Sequence, residues 1–199
     1  AFDQDLGLYT ATIDWSPGSV TVTSASGYTD QTTDTTVDNT TAVAGVSFLP
    51  LPPGTLVDGA TSVKIKKFTQ EFRVTSPQSQ RLDWLVGAFY TDEKVDLKGA
   101  PINAYLPDYT LLGAIVPGRT QESTYEEYAF FGDATWHFTD RFDVGAGLRF
   151  AENTQKVTGT GGSSPSESEN DTTWSLSSRY HFTPDVMMYG RIATGYRPG

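Results

Sequence analysis

The side chains best suited to chemistry are few in this sequence, and they are scattered. His137 and His181 are its two histidines, and each stands just before a turn-like segment. A metal site needs several converging ligands, so each is read as a polar side chain at an interface rather than a ligand. Asp30, Asp34 and Asp38 recur in a Thr-rich stretch. They lack the spacing and closing Glu of a calcium loop and are read as a solvated acidic loop. Gly159-Thr160-Gly161-Gly162 lacks the Lys-Ser/Thr that completes a phosphate-binding loop. Glu126 and Glu127 are adjacent in a strand-like segment, so they point to opposite faces and cannot act as a pair. No Ser-His-Asp arrangement or nucleophile elbow occurs, and the absence of cysteine removes thiolate chemistry. The residues predict no catalytic site, no metal site and no cofactor, hence a protein that is not an enzyme.

The elements that would position any site are strands. Period-2 alternation recurs along the chain, and helical periodicity is almost absent. In residues 6–15, Tyr9, Ala11, Ile13 and Trp15 share one face while Thr10, Thr12 and Asp14 share the other. Ser16-Pro17-Gly18-Ser19 is a turn signal, and residues 20–29 return. A second pair spans 67–75 and 82–90, joined through Ser76-Pro77-Gln78-Ser79-Gln80. A third spans 127–138 and 142–150, joined through Thr139-Asp140-Arg141. A fourth spans 172–182 and 186–194. The polar stretches 30–66, 95–121 and 157–170 are expected to be long connections. Trp136-His137-Phe138-Thr139-Asp140 is echoed by Tyr180-His181-Phe182-Thr183-Pro184, both at the end of a strand.

About eight strands of roughly ten residues, joined by alternating tight and long connections, are the layout of an outer-membrane barrel meander. No run of ~20 apolar residues exists, so no helix is expected to span a bilayer. The net charge of −10 argues against nucleic acid as a partner. A mean hydropathy of −0.35 suits a barrel, since only alternate residues meet lipid. It equally suits a soluble β-sandwich binding domain, and a complete small eight-stranded barrel with a structural or anchoring role is the other alternative. On the membrane reading, Trp15, Tyr90, Tyr128, Trp136, Phe138, Phe142, Phe150, Tyr180 and Phe182 form aromatic belts. Trp84 and Trp174 also lie on apolar faces, less clearly at a belt. Glu71, Arg73, Asp83, Asp133, Arg149 and Arg179 face the lumen.

Several segments resemble the TonB-dependent receptors. Phe68-Thr69-Gln70-Glu71-Phe72-Arg73-Val74-Thr75-Ser76-Pro77 is similar to a strand-and-turn of that family, and Leu82-Asp83-Trp84-Leu85-Val86-Gly87-Ala88-Phe89-Tyr90 to its return strand. Tyr128 through Trp136, Phe142 through Phe150, and Tyr189 through Gly199 resemble later barrel segments. Their order and spacing cover about residues 68–199, and the earlier residues fit as a preceding hairpin.

The resemblance implies an all-β, antiparallel transmembrane meander, an open fragment of a larger 22-stranded barrel. Residues 1–199 would be part of the barrel domain, with the plug domain absent, no TonB box and no closing aromatic strand. The ends of the sequence likewise predict a piece of a longer chain. The whole receptor would sit in the Gram-negative outer membrane and import a scarce nutrient, such as a ferric siderophore, with TonB-transmitted energy. Its partners would be outer-membrane lipid, its own plug domain, TonB and a small-molecule ligand. The ligand-binding residues stay unknown. Asp108, Tyr109 and Arg119 are only guesses.

Overall fold

The computed structural model describes residues 1–43, 51–77, 81–160 and 162–196. It is a single antiparallel sheet. The strands are β1 (Phe2–Trp15), β2 (Thr21–Asp38), β3 (Leu56–Thr75), β4 (Leu82–Gly99), β5 (Ile102–Tyr105), β6 (Leu111–Val116), β7 (Arg119–Thr139), β8 (Phe142–Gly159), β9 (Gly162–Ser163), β10 (Glu167–Thr183) and β11 (Val186–Ala193). One helical turn, α1 (Thr40–Val43), follows β2. The main path is β1-β2-β3-β4-β7-β8-β10-β11, a meander of eight strands in chain order. β5 and β6 form a small hairpin that folds back so that β5 pairs with β3.

The short turns all lie at one end of this meander and the longer connections at the other. β1 and β11 are its opposite edges and do not pair, so the eight strands do not close into a small barrel. Nor do the described residues form a second sheet to make a sandwich. Among the described residues the buried apolar side chains are Val57, Ala104 and Ala129. Val57 and Ala104 are register partners, buried where the hairpin meets β3.

Two expectations are corrected. The strands are not about ten residues long: β3 has 20 and β7 has 21. The expected connections 30–66, 95–121 and 157–170 are largely strand. β2 pairs with β3 without interruption from Thr21↔Thr75 to Asp38↔Asp58. The physical reason lies in the pattern. In the upper half of β2 both faces are polar, so the alternation that marks a half-buried strand is missing there, whereas β3 and β4 keep Val63 and Ile65 opposite Leu97 and Val95 on the face away from Lys64 and Lys94. The β-branched run Thr32, Thr33, Thr35 and Thr36 still favours extended backbone, and the partner strand completes the ladder.

The echoed pentapeptides have a common cause. The ladder shifts by one residue between His137 and Thr139, and again between His181 and Thr183. On the other side of the same strands the ladder continues to the preceding hairpin: His137 N donates to Arg81 O at 2.8 Å, and His181 N to Arg141 O at 2.8 Å. In the middle of the sheet, Gly87 lies beneath the Phe131 ring, and a Cβ there would fall 2.5 Å from it. The glycine lets the ring lie flat across the neighbouring strand. The turn residues 78–80, Gly161 and residues 197–199, which carry parts of the sequence motifs above, lie outside the described residues.

Candidate functional site

The register sorts the side chains of all eight strands onto two faces. On one, the rung Leu82–Trp136–Val144–Ser178 lies toward the short turns. Above it come Trp84–Ala134–Ala146–Leu176, then Val86–Gly132–Leu148–Trp174, then Ala88–Phe130–Phe150–Thr172. All nine aromatic residues expected at a belt fall on this face. They form two rows. Toward the short turns, Trp136 lies 6.2 Å from Phe138, Phe138 5.8 Å from Phe142, Phe142 6.5 Å from Tyr180, and Tyr180 4.9 Å edge-on to Phe182. Trp15 stands beside its own short turn, 64% exposed. About eight residues up the strands, Phe68 is 6.3 Å from Tyr90, and Tyr90 4.8 Å from Tyr128. Phe150 sits one rung below Tyr128, while Trp84 and Trp174 lie between the rows.

The six polar residues expected on the other face all lie there, and most are tied in networks. Near the short turns, Asp83 Oδ2 lies 3.0 Å from His137 Nε2, and His137 Nδ1 lies 2.5 Å from Asp143 Oδ1. Asp143 Oδ2 accepts from Arg179 Nε at 2.8 Å and from its Nη2 at 2.6 Å. This chain of four groups joins β4, β7, β8 and β10. Higher up, Arg149 Nη2 donates to Glu127 Oε1 at 2.5 Å, and Tyr125 donates to the other oxygen at 2.5 Å. The Arg149 guanidinium also lies over the Phe89 ring, 5.5 Å from its centre. Glu71 and Arg73 pair at 3.3 Å, and the Asp133 carboxylate covers Gly147.

Sequence reasoning missed Asp143, Glu127 and Tyr125. Asp143 and Glu127 find charged partners on other strands, so no local pattern marks them, and Tyr125 reaches Glu127 two residues along its own strand. His137 and His181 are equivalent in backbone only. His137 is held between two carboxylates, whereas His181 makes no side-chain hydrogen bond or ion pair among the described residues. Glu126 and Glu127 do face opposite sides: Glu126 accepts from Tyr90 at 3.0 Å and Tyr128 at 2.9 Å on the aromatic face. Asp30, Asp34 and Asp38 belong to β2 rather than a loop, and no group of carboxylates and histidines among the described residues is arranged to hold a metal ion.

At the long-connection end, the β5–β6 hairpin presents Tyr109 at its tip, 77% exposed and in the left-handed region at φ 65°. Asp108 Oδ1 accepts from Thr110 N at 3.0 Å, and this bond holds its carboxyl below the usual carboxylate range. Arg119 lies at the hairpin base beside Gly99.

On the aromatic face at this end, Lys94 Nζ reaches Glu122 at 2.6 Å and Asp96 at 3.7 Å. The Lys94 bond holds the Glu122 carboxyl below its ordinary value, and the Glu122 bond raises Lys94. A depressed carboxylate contributes fully above its unfolded value and loses that contribution as pH falls through the folded one. The raised amine contributes below its unfolded value and loses its contribution as pH rises through the folded one. The pair therefore supports this end across the neutral range. In a carbon-13 titration the Glu122 carboxyl is expected to have a low midpoint that rises in K94Q. An unchanged midpoint would mean that the pair is idle in solution.

A meander of long antiparallel strands, apolar on one face and polar on the other, is a segment of β-barrel wall. A family model described as TonB dependent receptor-like, beta-barrel, matches residues 1–199. The chain belongs to the TonB-dependent receptor β-barrel family, a family of receptors and not of enzymes. Among curated relatives, the pesticin receptor of Yersinia enterocolitica serotype O:8 is 36% identical over 140 residues, 65% of this chain and 19% of that protein. The pesticin receptor of Yersinia pestis is 35% identical over the same shares. The chain thus spans about a fifth of the length of these relatives. Among solved structures, the ferric yersiniabactin uptake receptor FyuA from Yersinia pestis superposes with a TM-score of 0.73 at 21% identity, over 99% of this chain and 29% of that one. The siderophore receptor PiuA from Acinetobacter baumannii gives a TM-score of 0.73 at 13% identity, over 96% and 32%. At these identities the structural likeness speaks to the fold.

Proposed function

We propose that this chain is part of the wall of an outer-membrane receptor that imports a scarce nutrient of the ferric siderophore class with energy transmitted by TonB. The observation that carries the membrane reading is the aromatic face. Phe130, Leu148, Trp174 and Ile192 are 67%, 44%, 45% and 68% exposed, and nothing among the described residues covers them. In water such a face is an aggregation hazard. Against lipid it is the solvent-matched side of a barrel. The two aromatic rows then mark the two headgroup levels, with the short turns periplasmic and the β5–β6 hairpin extracellular. Glu71, Arg73, Asp83, Asp133, Arg149 and Arg179 line the lumen, where the plug domain of the whole receptor sits. The upper half of β2 stands clear of the bilayer, which accounts for its two polar faces.

The siderophore class rests on the names of the relatives, which include a ferric yersiniabactin uptake receptor and a siderophore receptor. The test is uptake of radioactive iron by iron-starved source cells, offered one siderophore at a time. Deletion of the gene for the whole receptor is expected to abolish uptake of one siderophore, and inactivation of TonB to do the same. Unchanged uptake of every siderophore offered would overturn the iron reading. Absence of the receptor from the outer-membrane fraction would overturn the membrane reading as well.

A further inference from the structure

The two faces of β1–β4 exchange character above the upper aromatic row. Below it the aromatic side is apolar and the other side polar. Above it the aromatic side carries Asp30, Lys66 and Lys94 on one rung and Lys64 and Asp96 on the next. The opposite side, polar lower down, turns apolar at the same height. Its rungs run Leu8–Thr29–Lys67–Glu93, then Leu6–Gln31–Ile65–Val95, then Gln4–Thr33–Val63–Leu97. Val63, Ile65, Val95 and Leu97 are half-buried, and Leu6 and Leu8 are 61% and 65% exposed. The charged groups in these rungs are Lys67 and Glu93, and they neutralise one another at 2.9 Å.

An apolar patch left facing water marks a surface that something else covers. Lipid does not reach it from the lumen side. A protein partner does not fit its size. Four strands and two rungs make an arc of roughly 14 Å by 7 Å. A stable protein interface takes about 800 Å² from each partner, far more than this. One flank of a small molecule covers it, and sites for small molecules are apolar walls with few polar groups. The charge around the arc narrows the ligand further. On the same side at this height, Glu167, Glu169 and Asp171 of β10 make no ion pair among the described residues. Arg149 is held by Glu127 at 2.5 Å. Arg119, at the rim opposite Gly99, is the one cation at this height on that side without a carboxylate partner among the described residues. The wall is thus neutral at the arc and acidic beside it. A polyanion seated there loses hydration and gains little counter-charge.

We propose that the imported ligand is an uncharged iron chelate with an apolar flank, and that this flank seats against Leu6, Leu8, Val63, Ile65, Val95 and Leu97. The inference rests on the receptor reading above and narrows its substrate class, placing polyanionic chelates outside it.

The test uses the whole receptor, purified from outer membranes and reconstituted in lipid nanodiscs, with empty nanodiscs as the blank. Two probes carry radioactive iron: ferric tris-hydroxyquinolinate, which is neutral and apolar, and ferric tris-catecholate, which is trianionic. The parent is expected to bind the neutral probe at least about tenfold more tightly, the scale on which a pocket discriminates by apolar contact. I65T/V95T, which keeps both side chains β-branched, is expected to weaken neutral-probe binding by about tenfold. V95K is expected to raise binding of the trianionic probe while lowering that of the neutral one, a change that a merely structural role of the arc does not produce. K66Q, beside Ile65 but on the opposite face, is expected to leave both affinities unchanged. Equal affinity of the parent for the two probes, or binding of neither, would overturn the substrate class. Parent-like binding in I65T/V95T would overturn the arc as the seat. A lower unfolding midpoint in ligand-free I65T/V95T than in K66Q would mean that other parts of the receptor cover the arc, and the proposal falls in that case too. Each of these outcomes leaves the receptor reading standing, since that reading fails on the loss of TonB-dependent iron uptake and not on these affinities.

Discussion

Leu148→Arg is expected to destabilise the folded receptor by about 2–4 kcal/mol, the range for a cation on the lipid face of a barrel at the bilayer midplane. Leu148 lies between the two aromatic rows, flanked across the strands by Gly132 and Trp174. From that height neither headgroup level is within easy reach of the new side chain. The residue is 44% exposed with nothing above it among the described residues, so steric overpacking contributes little and the loss reports the surrounding solvent. The matched control is Ser175→Arg, the next residue along β10 after Trp174 and on the polar face, opposite Gly147 and the Asp133 carboxylate that covers it. There a cation meets water and carboxylates, and the cost should be within about 1 kcal/mol. Denaturant unfolding of the whole receptor in lipid vesicles measures both. Equal costs at the two positions would mean that the aromatic face does not meet hydrocarbon.

The sheet was legible in the sequence wherever its two faces meet different surroundings. Residues 128–138 and 142–150 alternate cleanly because one side is apolar and the other polar, and the structure pairs Phe130 with Phe150 and Ala134 with Ala146 across them. Asp30 through Asp38 carry no such contrast. Their pairing is set by a neighbouring strand and by β-branched threonines, so a reader of local pattern sees a loop. The aromatic rows were legible for the reason that the strands were: parity places them on one face, and proximity to a turn places them at one height. The polar network was not. His137 is six residues from Asp143 but 54 from Asp83, and Arg179 is 36 from Asp143. One signal was available. Asp83, His137, Asp143 and Arg179 all share the polar parity and all stand within a few residues of a short turn. Matching parity and depth together predicts that they meet, even where order along the chain does not.

That meeting point gives the second large expected effect. Asp143→Ala should cost about 2–3 kcal/mol, whereas Arg179→Ala should cost no more than about 1 kcal/mol. The asymmetry follows from exposure and valence. The Asp143 side chain is 11% exposed and serves both His137 and Arg179, so its removal breaks two charge-assisted contacts at once. The Arg179 side chain is 45% exposed and rehydrates readily when its partner is lost. Without Arg179, Asp143 still holds His137, and His137 still reaches Asp83. Asp143→Asn should fall between the two, since it keeps the shape and loses the charge. The position of the network also gives it a structural task. The ladder slips by one residue at His137 and at His181, where backbone pairing alone specifies register weakly. The carboxylate of Asp143 ties β8 to β7, the strand that slips against it, through His137, and to β10 through Arg179. Its loss should therefore broaden the amide resonances of the β7–β8 turn region as well as lower the unfolding midpoint. If Arg179→Ala proves as costly as Asp143→Ala, the Arg–Asp pair alone carries the effect and the histidine link is idle. If Asp143→Ala costs no more than a neutral change such as Ser177→Ala, the register at the bulges is fixed by the backbone and the network contributes nothing to it.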